Sequence, residues 1–171
     1  FRSLRYVYID IGMTLSGLAQ TAVKTVAANI QTVEPGDDMI CAVRISRGAP
    51  GAGPTVLITC RPIEFDRYAH LFGTGVDLVT PTLRSVPGET LDPRLKTQSR
   101  MVNVLAEIQA ATAKPGAWPL MCNSHGIITE SARSNFLIVQ DGVIMTPKGG
   151  RVLAGVTAAV TTELAENLGI R

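Results

Sequence analysis

Apolar positions in the first half of the chain predict one amphipathic helix and a pair of strands. Apolar side chains recur at every fourth position from Leu18 to Ile30, which is the spacing of a helix with one buried face. Residues 39–46 and 55–60 are rich in β-branched residues, and the Gly- and Pro-rich segment 47–54 joins them as a hairpin loop. That loop lacks the GxGxxG order of a dinucleotide-binding loop, and no helix follows it.

Short apolar runs elsewhere predict further strands, and a polar stretch predicts a boundary. Residues 6–11 and 76–80 are β-prone runs. Residues 82–92 are polar with a Pro-Gly pair in the middle, a composition typical of linkers. We therefore expect a smaller first domain of residues 1–83 and a larger second domain of residues 84–171.

Beyond this boundary the pattern becomes helical. Apolar residues lie on one side of a helix predicted over residues 95–111, with Asp92 and Pro93 resembling its start. This interpretation puts Lys96 near a helix start, where burial and the positive end of the helix destabilise an ammonium group and favour a nucleophilic amine. A single lysine is more often an exposed, solubilising charge.

A hairpin with a carboxylate in front of it follows. Residues 136–139 predict a strand, Asp141 and Gly142 a favoured two-residue turn, and residues 143–145 the returning strand. Glu130 stands just before this hairpin in otherwise neutral sequence. Taken alone, it could equally be a solvated carboxylate or the cap of a turn.

The last predicted helix has a start suited to an anion. Its apolar residues recur at helical spacing over residues 158–168, and Gly155, Val156 and Thr157 open it. A helix start presents unpaired N–H groups and the positive end of the dipole, which suit a phosphate. An N-capping role for Thr157 is the plain structural alternative.

Composition and charge narrow the classes of function. The chain has 171 residues, 46% of them hydrophobic, 18% charged, and a formal net charge of +2. It has no Lys/Arg run and no apolar stretch near the roughly 20 residues that span a bilayer, so we expect neither nucleic acid nor membrane as a partner. Three widely spaced cysteines suit reduced thiols in a cytoplasm, and neither histidine has ligand-spaced partners for a metal.

The segment from Gly126 onward resembles the class IV aminotransferases, the pyridoxal-phosphate enzymes of fold type IV, and the resemblance covers roughly Ile40 to the end of the chain. The resemblance is carried by the order G-x-x-T-E-x-x-x-S-N-F-x-x-V-x-D-G-x-x-x-T-P, followed by L-x-G-V-T, and upstream by D-P-R-L-K-T and N-V-L-A. The family includes branched-chain and D-amino-acid aminotransferases, R-selective amine transaminases and aminodeoxychorismate lyase. It implies an α/β (α+β) fold with a small α/β domain and a larger β-rich domain with flanking helices.

The resemblance also implies roles for individual residues. Lys96 occupies the position of the lysine that forms a Schiff base with pyridoxal 5′-phosphate, and Glu130 that of the glutamate paired with the pyridinium nitrogen. Val156 and Thr157 match the segment that holds the phosphate, and Leu153 matches an apolar residue packed on the ring face.

A substrate contact is implied on the first predicted strand of the hairpin. Arg44 lies in a segment similar to the family's strand end, from which alternate residues face the substrate, so it is a candidate for binding a substrate carboxylate. Arg47 in the adjacent S-R-G motif is commonly structural.

The function implied is a pyridoxal-phosphate-dependent aminotransferase that moves an amino group between an amino acid or amine and a 2-keto acid. Lys96 would carry the proton between the substrate Cα and the cofactor carbon, and family members are usually homodimers. Three alternatives stay open. The first is aminodeoxychorismate lyase on the same scaffold, suggested by Arg100, and the second is a truncated, non-catalytic relative that binds small molecules or a partner. The third is a plain α/β binding domain, which an exposed and unreactive Lys96 would favour. Family chains usually carry more sequence at both ends, including further phosphate-binding residues, so truncation is one expectation.

Overall fold

Two units, Phe1–Thr74 and Gly75–Arg171, make up the chain in the computed structural model, which describes residues 2–147 and 152–170. Residues 75–83 therefore group with the second unit, and the domain boundary after residue 83 stays a prediction. No helix in these described ranges is both long and apolar enough to cross a membrane.

The first unit is built on a long hairpin covered by a helix. The strands β1 (Met39–Ser46) and β2 (Thr55–Pro62) pair antiparallel along their whole length, as the sequence predicts. Helix α2 (Leu15–Asn29) packs on both strands, and Thr14 caps it by accepting a hydrogen bond from the Gly17 N–H at 3.1 Å. Cys41 and Cys60 lie directly opposite each other in the hairpin.

Short helices flank this core, and the end of one helix and its following turn lie where a strand was predicted. Helix α1 (Arg2–Tyr6) is followed by a turn in which Tyr8 has a φ of 54° and the Ile9 N–H bonds the Leu4 carbonyl at 2.9 Å. The strand predicted over residues 6–11 is therefore wrong, because these residues form the end of α1 and the turn after it and do not pair with a strand. A 3-10 turn (Ile30–Thr32) lies between α2 and β1, and the first unit ends with α3 (Asp66–Ala69) and α4 (Leu71–Thr74).

The second unit contains a three-stranded sheet and a separate hairpin. In the sheet, β3 (Leu78–Val79) runs parallel to β4 (Trp118–Cys122), which pairs antiparallel with β5 (Ile128–Ser131). The hairpin consists of β6 (Ile138–Gln140) and β7 (Val143–Met145). Asp141 and Gly142 form its turn with φ values of 51° and 74°, which confirms the predicted two-residue turn.

Two helices complete the second unit. Helix α5 (Met101–Ala113) packs on β4 and β3 through the fully buried Ala106 and Ala110. Helix α6 (Val156–Asn167) confirms the predicted C-terminal helix.

Candidate functional site

Glu130 lies on β5 with its side chain on the opposite face of the strand from two buried neighbours. Thr129 and Ser131 are buried, and the Thr129 hydroxyl donates to the Met121 carbonyl at 3.1 Å. Strand alternation therefore turns the Glu130 carboxylate to the other face, where it is half-buried.

Two donors converge on one oxygen of this carboxylate. Oε2 of Glu130 accepts hydrogen bonds from the Asn135 amide at 3.1 Å and from the Leu153 backbone N–H at 3.3 Å. Both bonds end on Oε2, and no described residue donates a hydrogen bond to Oε1. One face of the carboxylate is thus fixed by the protein, and the second oxygen is available to another donor.

The surroundings of Glu130 contain groups that shift its pKa in opposite directions. Burial raises the pKa of this carboxyl group, whereas the Leu153 N–H and the positive charges of Lys96 and Arg100 lower it, and burial prevails. Lys96 therefore lies near enough to Glu130 to act on its charge, although 34 residues separate the two.

Lys96 itself lies in a loop rather than at a helix start. The side chain is exposed, and helix α5 begins only at Met101. Upstream, Asp92 accepts bonds from the backbone and guanidinium of Arg94, and the Leu95 N–H bonds the Asp92 carbonyl at 3.0 Å. These bonds close a turn where a helix cap was expected, so the predicted position of Lys96 near a helix start is wrong.

The loop that follows Glu130 is fastened to the first turns of α5. Arg100 and Asn103 both donate to the carbonyl of the buried Ala132, Asn103 at 3.1 Å. One residue further, Arg133 forms a bidentate pair with Glu107 at 2.6 and 3.0 Å. Sequence reasoning missed these contacts, because nothing in the local sequence of Arg100, Asn103 or Arg133 distinguishes it from other polar residues near a helix or a loop.

The start of α6 is built by close backbone approach. Gly155 occupies the N-cap and has no side chain with which to bond the first N–H groups of the helix. A Cβ at this position would lie 1.9 Å from Oδ1 of Asn135, so any larger residue would require the Asn135 side chain to move. Val156 and Thr157 follow as exposed residues at the positive end of the helix.

Leu153 joins this helix start to Glu130 through its main chain. Its N–H bonds Glu130, and its carbonyl accepts from the Asn135 amide at 2.9 Å. The contact predicted for its side chain with a ring face stays a prediction.

The predicted substrate residue belongs to the first unit. Arg44 is exposed on β1, and its guanidinium donates to the Thr59 hydroxyl at 3.0 Å. Arg47 donates to the Val7 carbonyl at 2.6 Å and so ties the end of β1 to the turn after α1. The structural role expected for Arg47 is thus present, and a substrate role for Arg44 stays a prediction.

Comparisons with known proteins agree with this architecture. The family model described as amino-transferase class IV matches residues 1–171. A Methanocaldococcus jannaschii protein provisionally named a branched-chain-amino-acid aminotransferase is 26% identical over 180 residues, which cover 99% of this chain and 59% of that protein. The branched-chain aminotransferase of Thermoproteus uzoniensis, solved with norvaline, is 24% identical with a TM-score of 0.78 over 99% of this chain and 57% of that one.

A further solved structure shows the same fold at lower identity. An aminotransferase from Brucella abortus, bound to the cofactor PLP, has a TM-score of 0.81 at 18% identity, over 99% of this chain and 60% of that one. The fold is therefore the expected fold type IV, and the chain spans only 57–60% of the length of these three relatives. Because the family model matches it from end to end, the chain belongs to the class IV aminotransferases.

Proposed function

We propose that the protein is a pyridoxal-phosphate-dependent aminotransferase that moves an amino group between an amino acid or amine and a 2-keto acid. One observation carries the proposal: three groups that are distant in sequence act on one another. Leu153 and Asn135 connect the half-buried Glu130 carboxylate to the start of α6, and the positive charge of Lys96 lowers the pKa of Glu130. The names of the relatives support branched-chain amino acids as the first donors to test.

The residues present fit this cofactor. Oε1 of Glu130 is available to accept a hydrogen bond from the N–H of a pyridinium ring, and the positive ring would offset the burial that raises the pKa of the carboxyl group. The N–H groups at the start of α6, reached over Gly155, suit a phosphate. The exposed amine of Lys96 suits an aldehyde.

In the proposed reaction each residue has a separate task. The cofactor supplies an electron sink for the carbanion that forms when the substrate Cα loses a proton. Nζ of Lys96 would take that proton from the substrate Cα and deliver it to the cofactor carbon. Glu130 would keep the ring nitrogen protonated by accepting its hydrogen bond, Val156 and Thr157 would hold the phosphate, and Leu153 would pack against the ring.

We extend the proposal to the partners of the protein. Arg44 binds the substrate carboxylate, the protein acts as a homodimer, and it works in the cytoplasm. Aminodeoxychorismate lyase is the less favoured reaction, because Arg100, which suggested it, binds the Ala132 carbonyl as a structural contact. Product analysis with a branched-chain amino acid plus 2-oxoglutarate, against aminodeoxychorismate, distinguishes the two reactions.

The test is to trap the cofactor on the chain. Purified protein is mixed with pyridoxal phosphate, reduced with borohydride and mapped by peptide mass spectrometry. We expect a visible absorption band and one adduct, on Lys96, with both lost in Lys96→Ala and kept in Lys24→Ala, a control on the exposed surface of α2. An adduct spread over several lysines, or one unchanged by Lys96→Ala, would contradict the proposal.

A further inference from the structure

The two amide protons of Asn135 connect two parts of the site that are far apart in sequence. Nδ2 donates to Oε2 of Glu130 at 3.1 Å and to the Leu153 carbonyl at 2.9 Å. Both partners are acceptors, so the amide nitrogen must face them and Oδ1 must point away. In that direction Oδ1 lies against Gly155, in the space that a Cβ would fill.

The backbone around Asn135 holds this side chain in place. Asn135 forms an isolated antiparallel bridge with Glu130, and the Ser131 N–H bonds the Ser134 carbonyl at 2.9 Å, which closes a tight loop between them. Arg100 and Asn103 of the α5 start fasten that loop through Ala132. The amide is therefore held in place by β5, by the loop of residues 131–134 and by the start of α5 before any ligand binds.

We infer that Asn135 is a positioning residue that fixes the orientation of the Glu130 carboxylate and couples it to the start of α6. With Oε2 bonded by Asn135 and Leu153, Oε1 is the oxygen left for the ring nitrogen, while Oδ1 of the same amide lies against Gly155, the N-cap of α6. The inference rests on the proposed function for its ligand and on the cofactor-free structure for its geometry. Asn135 sets where the two ends of the cofactor are held without touching the reacting atoms.

The first arm of the test needs no cofactor. Asn135→Asp keeps the shape of the side chain but replaces the donor with an acceptor beside Glu130, whose other charged neighbours are Lys96 and Arg100. We expect the unfolding free energy of Asn135→Asp to fall more steeply than that of the parent chain as pH rises above 5, and Glu130→Gln in the same chain to cancel the difference. Equal pH slopes for parent and Asn135→Asp, or strictly additive effects of the two substitutions, overturn the inference.

The second arm measures cofactor binding. We expect Asn135→Ala to weaken binding of pyridoxal phosphate about tenfold, because Oε2 loses a donor and the α6 start loses its contact. The loss should not add to that of Glu130→Gln, and Ser134→Ala, in the exposed neighbour, should leave affinity unchanged. Additive losses, or an equal loss in Ser134→Ala, overturn the coupling.

The two arms separate this inference from the proposed function. If no adduct forms on Lys96, the function proposed above fails, and the pH slopes of the cofactor-free variants still decide whether Asn135 orients Glu130. If the adduct forms and the slopes are equal, the function stands and the role of Asn135 is wrong.

Discussion

Glu130 and Glu107 are carboxylates whose surroundings shift their pKa values in opposite directions. Burial raises the pKa of Glu130 above its ordinary value, whereas the hydrogen bonds from Arg133 lower the pKa of Glu107. The sign of each shift fixes how the charge contributes to stability. Titration can thus distinguish the Glu130 carboxylate from the Glu107 carboxylate.

Substituting each glutamate by glutamine is expected to have opposite consequences for stability. Folding is favoured by protonated Glu130 at low pH, and this contribution is lost as pH rises through its raised pKa, so Glu130→Gln should gain stability relative to the parent chain at neutral pH and match it near pH 4. The Glu107 contribution is present above the ordinary glutamate pKa and lost on acidification, so Glu107→Gln should cost about 0.2–1 kcal/mol at pH 7, the range of an exposed ion pair.

Urea unfolding between pH 4 and 8 measures both effects in the cofactor-free chain. The matched pair controls for the general effect of removing one negative charge. A shift of the same sign in both variants at neutral pH would contradict this account of Glu130.

How far the sequence predicts the site depends on how local each contact is. Glu130 and the glycine-opened helix start are recognisable from motifs within a few residues. The bonds from Asn135 to Glu130 and Leu153 span 5 and 18 residues and involve an amide that could serve in any turn. Lys96 was placed on the wrong local element, because Asp92 bonds Arg94 rather than capping a helix.

At the scale of elements, the β1–β2 hairpin depends on glycines that differ in what surrounds them. Gly48 and Gly51 have nearly equal φ values of 79° and 81°. A Cβ on Gly48 would lie 1.6 Å from the Gly53 carbonyl oxygen, whereas a Cβ on Gly51 meets nothing within 4 Å. The two positions therefore separate backbone strain from steric overlap.

We expect Gly51→Ala to cost about 1 kcal/mol of unfolding free energy, the usual effect of a side chain at positive φ. Gly48→Ala should cost a further ~1–3 kcal/mol, because the loop must also move away from the new methyl group. Equilibrium denaturation of the two variants measures the difference. Equal losses would show that the loop relaxes freely around Gly48.

Elements with a partner close in sequence were predicted well, and elements that depend on distant partners were not. The β1–β2 and β6–β7 hairpins, α2 and α6 follow from local pattern and turn chemistry. Residues 6–11 carry a β-prone composition, yet Arg47 binds the Val7 carbonyl and the segment closes on α1. Strand propensity is a weak preference that such contacts override.

At the scale of the whole molecule, both units leave large apolar side chains exposed. In the described part of the second unit the buried hydrophobic residues are mostly small, including Ala106, Ala110 and Ala165. Larger side chains of the same helices, such as Ile108 and Leu164, are more than half exposed. Apolar periodicity predicted that both helices exist, although α5 begins at Met101 rather than at residue 95, and the identity of the buried positions depends on which neighbours each helix meets.

The parallel pairing of β3 with β4 has a consequence for the order in which the second unit folds. The Trp118 N–H bonds the Asp77 carbonyl across 41 residues, whereas the Asn123 N–H bonds the Ile127 carbonyl across 4. Closing the longer loop, which contains α5, costs about 2 kcal/mol more in chain entropy.

The turn after β4 should therefore form early and the β3–β4 contact late. Pulse-labelled hydrogen exchange during refolding is expected to protect the Asn123 amide before the Trp118 amide, and simultaneous protection would contradict this order. If β3 joins the sheet last, the edge of β4 that pairs with β3 stays open in partly folded chains. Another chain could pair with β4 at that edge.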